Sequence, residues 1–160
     1  MFTCEDICAI AVQIEKNGEA TYRRAAERAS RPAMVELFQW MAGDEQRHGR
    51  FFAAMGGGRL DPAAATEAEK LGRNLLQEMV RAQTFDLDAE QLAASEDVDD
   101  FLSQSVAFEE DTILFYQFLA DLVDDAEVRR QLAVIIDEER RHVEMLIGMA
   151  GQEREAACLS

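Results

Sequence analysis

Two helical stretches of this chain place a Glu and a His in the middle of an otherwise apolar seam. In one, Val128, Leu132, Ile135, Glu139, His142, Leu146 and Met149 alternate steps of four and three, the spacing of one helix face packing into a bundle. In the other, Met34, Phe38, Met41, Glu45, His48, Phe52 and Met55 step in the same order. His48 and His142 are the only two histidines in the chain, and each follows a seam Glu by three residues. A charged Glu turned into a core costs several kcal/mol unless a partner offsets it. Two Glu-x-x-His pairs at the same heptad phase therefore call for a shared partner, and on bundle helices that pattern points to a metal.

Two more seams carry one Glu each. The first is Cys8, Ala11, Glu15, Gly18, Tyr22, Ala25 and Ala29; the second is Leu102, Ser105, Glu109, Thr112, Tyr116, Leu119 and Val123. Small Ala and Gly along the first seam let a neighbouring helix come close. Glu15 to Glu45 and Glu109 to Glu139 both span 30 residues, while Glu15 to Glu109, Tyr22 to Tyr116, Glu45 to Glu139 and His48 to His142 all span 94. The chain thus reads as a duplicated helical hairpin. Folded about a pseudo-twofold axis, its halves bring four Glu and two His to one midpoint.

The spacing predicts an all-α four-helix bundle forming a single domain over 1–160, with helices near 5–30, 32–55, 98–123 and 126–150 and an extra helix near 66–84. Only two prolines interrupt the chain, and no strand alternation is visible. Pro32 suits the first position of a helix, and the short turn before it makes the first two helices antiparallel neighbours. Gly56, Gly57 and Gly58 end the second helix. The long crossover that follows holds Leu71, Leu75, Leu76, Met79 and Val80 at helical spacing, suited to covering the bundle or a subunit contact. It lets the third helix run parallel to the second. Ser95 or Asp97 caps the third helix and Asp124 or Asp125 the fourth, and the tail beyond Gly151 is expected to fray.

A net charge of −16 argues against a nucleic-acid partner, whose phosphates need a basic face. No apolar run approaches the ~20 residues of a membrane span. Early acids, Glu5 and Asp6, without a basic leader, point to a cytoplasmic protein. Cys4, Cys8 and Cys158 make no disulfide framework and no Cys-rich metal module, and read as reduced thiols.

Four carboxylates packed together repel one another, and some stay protonated unless cations neutralise them. Two divalent metals, with two carboxylates bridging, satisfy the set. Mixed oxygen and nitrogen ligation suits iron, or manganese or a mixed pair, more than a closed structural zinc site. Tyr22 and Tyr116 read either as core aromatics or as phenols bonded to ligating carboxylates. Trp40 borders its seam and is expected in core or interface, with an electron relay as the sharper alternative. Glu110, Asp111, Asp137 and Glu138 are expected to face solvent.

The segments IEKNGEATY (Ile14 to Tyr22) with DEQRH (Asp44 to His48), and FEEDTILFY (Phe108 to Tyr116) with DEERRH (Asp137 to His142), resemble the ferritin-like superfamily, its rubrerythrin-like branch most closely. The resemblance covers all four bundle helices. It implies a ferritin-like bundle with a di-iron centre held by Glu15, Glu45, His48, Glu109, Glu139 and His142, and a peroxide- or dioxygen-reducing oxidoreductase. Thr112 stands where rubrerythrins usually carry a further Glu, and no rubredoxin-like four-cysteine segment is visible, so a separate electron donor is expected. A homodimer is expected as well. The other readings are a ferroxidase, for which Fe2+ is the substrate, a metal-stabilised binding module, and a hydroxylase like the demethoxyubiquinone hydroxylases.

Overall fold

A computed structural model of the chain describes residues 4–55, 70, 71, 74 and 95–159. Four helices make up the bundle: α1 (Cys4–Arg28), α2 (Pro32–Ala54), α3 (Ser95–Leu122) and α4 (Ala126–Leu159). Pro32 stands in the first turn of α2, after Arg31 in extended conformation. Asp125 caps α4, its Oδ1 accepting from the backbone N–H groups of Glu127 at 2.9 Å and Val128 at 3.2 Å. One expectation fails at the C-terminus. Rather than fraying beyond Gly151, α4 continues to Leu159. Glu153 in this extension accepts from Arg31 at 2.7 Å, tying the last turns to the α1–α2 turn.

All four seams face inward. Among their apolar residues only Ala29, Met55, Val123 and Val128 are partly exposed. The apolar residues form two plugs. One joins Ile10 and Ile14 of α1, Phe52 of α2, Phe115 and Leu119 of α3, and Leu132 and Ile135 of α4. The other joins Ala25, Phe38, Leu102 and Leu146 with their neighbours. Each fully buried Leu, Ile or Phe contributes ~1.5–3 kcal/mol, so the plugs supply the driving force that the polar layer between them lacks.

The order in which each helix meets the plugs gives the topology. Helices α1 and α4 run one way, and α2 and α3 the other, so the third helix is parallel to the second as expected. A connection from α2 to α3 must then return along ~35 Å of bundle, the length of a 23-residue helix at ~1.5 Å per residue. Of the expected connector helix at 66–84, residues 70, 71 and 74 are helical and Leu71 packs against the first plug; the rest of that expectation, with the glycine stop, lies outside the described residues. No helix among the described residues is long and apolar enough to cross a membrane.

Candidate metal centre

Between the plugs, Glu15, Glu45, His48, Glu109, Glu139 and His142 are all 0% exposed. The sequence placed these six together, and the fold brings them together. Antiparallel pairing of α1 with α2 sets Glu15 beside His48, and pairing of α3 with α4 sets Glu109 beside His142. Meeting of α2 with α4 joins the halves. The His48 and His142 rings lie 6.2 Å apart between centroids.

The donors fall into two overlapping sets, Glu15, Glu45, His48 and Glu139, and Glu45, Glu109, Glu139 and His142; within each, one atom per residue lies within 4.8 Å of the others. Glu45 and Glu139 belong to both sets. They are the carboxylates that can bridge two ions, with Glu15 and His48 completing one end and Glu109 and His142 the other. Both histidines turn Nδ1 inward: His48 Nδ1 is 2.9 Å from Glu139 Oε1, and His142 Nδ1 is 3.0 Å from Glu139 Oε2 and 3.3 Å from Glu45 Oε1.

The donor set fits a pair of cations. Glu15 Oε2, both Glu45 oxygens, Glu109 Oε2, Glu139 Oε2 and His142 Nδ1 are buried without a hydrogen-bond partner, a concentration of unpaired polar atoms that a folded core avoids. Four carboxylates also match the charge of two divalent ions. Without cations, protons must do that work. Burial, then repulsion from Glu139, Glu15 and Glu109, holds the Glu45 pKa well above the usual carboxylate range. Burial and Glu139 push Glu109 up to about 8. Burial and the Glu15 charge also disfavour the Glu139 carboxylate, but the adjacent His142 and His48 imidazoles outweigh them and bring its pKa down. The imidazoles move the other way: burial disfavours their charge, yet carboxylates on both sides raise His48 to about 11 and His142 as well.

Tyr22 and Tyr116 are buried and donate across the two halves. Tyr22 Oη donates to Glu109 Oε1 at 2.5 Å, and Tyr116 Oη donates to Glu15 Oε1. Each phenol thus holds the unshared Glu of the opposite hairpin. Burial and the adjacent carboxylates keep both phenols protonated.

Two partners of the histidines were missed. His48 Nε2 donates to Glu138 Oε2 at 2.7 Å, and His142 Nε2 lies 3.1 Å from Asp44 Oδ2. Glu138, expected to face solvent, is therefore turned to the imidazole of the other half. Asp44 and Glu138 are 94 residues apart, each directly before a seam Glu. That repeat was the available signal. Arg47 joins the two, with Nη2 2.6 Å from Asp44 and Nη1 3.1 Å from Glu138. Although burial opposes it, the bonds to His142 and Arg47 lower the Asp44 pKa and keep it ionised. Of the other acids, Glu110 and Asp137 are exposed as expected and Asp111 is half-buried. Trp40, expected in core or interface, is 37% exposed and stands edge-on to His142. Cys8 is buried and Cys158 exposed, and neither joins a metal-capable cluster among the described residues.

A helical bundle with a carboxylate–histidine layer at its centre is the architecture of metal-binding ferritin-like proteins. The family model described as a ferritin-like domain matches residues 4–152, and the chain belongs to that family. Neither the curated proteins nor the solved structures yield a match.

Proposed function

We propose that this chain holds two iron ions between its hairpins and reduces hydrogen peroxide, as rubrerythrin-like proteins do, with dioxygen as the alternative oxidant. The carrying observation is the pair of overlapping donor sets that share Glu45 and Glu139. Glu15 and His48 would hold one ion, Glu109 and His142 the other. Bound there, the pair would supply two electrons and Lewis acidity. The overall change is H2O2 + 2 H+ + 2 e− giving two waters, with electrons restored by a separate redox protein or small reductant.

The side chains have distinct tasks. Glu138 and Asp44 keep the proton on Nε2 of His48 and His142, which leaves Nδ1 as the ligating atom. Tyr116 and Tyr22 fix one oxygen of Glu15 and Glu109, so each carboxylate presents its other oxygen inward. Their hydroxyl hydrogens are the nearest protein-borne protons to the unshared carboxylates, and the plugs exclude bulk water above and below.

The test is to load the protein with Fe2+ without oxygen, add peroxide, and follow near-ultraviolet absorption through repeated reduction. One peroxide consumed per two Fe2+ oxidised, with recovery after reduction, supports the reading. Consumption no faster than free iron gives would sink it. Rapid Fe2+ oxidation by dioxygen in a closed shell of subunits would favour iron storage instead. Glu139→Ala should lose iron uptake, and retention of two ions would mean the ligand is misassigned.

A further inference from the structure

The 94-residue correspondence also pairs Arg47 with Arg141, and there the halves differ. Arg141 is exposed and joins no acid among the described residues. Arg47 spans from α2 to α4. Its Nη2 donates to Asp44 Oδ1 at 2.6 Å, and its Nη1 donates to Glu138 Oε1 at 3.2 Å and Oε2 at 3.1 Å. Each acid also meets a ring beneath it. His48 Nε2 donates to Glu138 Oε2 at 2.7 Å, and His142 Nε2 lies 3.1 Å from Asp44 Oδ2. His48, Glu138, Arg47, Asp44 and His142 thus form one continuous chain across the two hairpins. Side-chain exposure falls along it from 55% at Arg47, through 18% at Glu138 and 13% at Asp44, to 0% at both imidazoles.

We propose that Arg47 is a positioning residue for both histidines at once, its fork holding Asp44 and Glu138 against the two Nε2 groups. A planar guanidinium presents several N–H donors at fixed spacing, so one side chain can serve two carboxylates. The acids need that hold. Both are partly exposed, each has rotamers that turn it toward water, and carboxylates on one face repel each other unless a cation stands between them. Asp44 and Glu138 each serve one ring. Arg47 serves two, so a single change at the rim should loosen both halves of the centre. The hold on the rings needs no metal; its effect on metal affinity rests on the proposed two-cation centre.

The two histidines give the only imidazole signals, so proton exchange with water at each Nε2 can be followed by nuclear magnetic resonance in metal-free protein. Arg47→Gln should speed exchange at both rings, with helicity unchanged, and Arg141→Gln at neither. Arg47→Lys keeps the charge on a single ammonium and should restore at most one ring. Mn2+ titration is the second readout: Arg47→Gln should bind about ten-fold more weakly. The inference is overturned by unaltered exchange in Arg47→Gln, by a change confined to one ring, by an equal effect of Arg141→Gln, or by full recovery in Arg47→Lys, which would show that charge alone suffices. If the unaltered chain takes up no Mn2+, the metal reading fails and the exchange comparison still decides for Arg47. If it takes up two ions and Arg47→Gln binds them equally well, this inference fails alone.

Discussion

Gly18 shows how closely single residues are fitted to the centre. A Cβ there would lie 2.5 Å from Glu45 Oε2 and 3.1 Å from its Cδ. The corresponding Thr112 turns its hydroxyl to the Phe108 carbonyl at 2.8 Å. Gly18→Ala suits a helix interior better than glycine does, and the atoms it meets are the flexible end of a side chain. The bundle should therefore survive while Glu45 is pushed off the position shared by both donor sets. Metal affinity should fall about 10- to 100-fold with helicity intact, measured by Mn2+ or Fe2+ titration beside circular dichroism; two ions bound at unchanged affinity would refute it. Glu138→Gln should weaken binding in the same range, because a neutral amide holds the His48 Nε2 proton less firmly. Unaltered affinity there would show that Glu138 is only a surface partner.

Each helix is placed by its seam and bounded by local chemistry. Asp125 satisfies two backbone donors at the start of α4, so Asp125→Ala should cost ~1 kcal/mol. Chemical denaturation would read that loss, and a change near zero would show the cap is redundant. The α4 extension past Gly151 rests instead on a long-range contact, Arg31 with Glu153 at 2.7 Å. Exposed pairs of this kind contribute only ~0.2–1 kcal/mol. The seam periodicity could not reveal it, because the partner lies 122 residues away.

For the whole molecule the balance is between two apolar plugs and the charged layer they enclose. In metal-free protein Glu109 titrates near 8, above its unfolded value, so its contribution is present at low pH and is lost as pH rises toward 8. His48, raised to about 11, contributes fully below its unfolded value and loses this contribution between there and 11. The two agree in sign across neutral pH. Glu139, lowered, acts oppositely, its contribution being lost in acid. Metal-free protein should therefore lose thermal stability as pH rises from about 6 to 8. Metal should reverse the trend, since binding displaces the same protons and is favoured at higher pH. Thermal unfolding at several pH values, with and without Mn2+, checks both signs; a metal-free melting temperature that climbs over this range contradicts the scheme.

Seam spacing alone determined the helical bundle, the duplicated hairpin and the six residues at its midpoint. A buried charge at a regular helix phase is legible in one dimension because so few partners can offset it. Tertiary structure decided what depends on contacts between distant residues: which two carboxylates are shared, that Asp44 and Glu138 serve the opposite half's histidine, and that Trp40 stands edge-on to His142. An acidic residue next to a seam looks solvent-facing until the partner helix is in place.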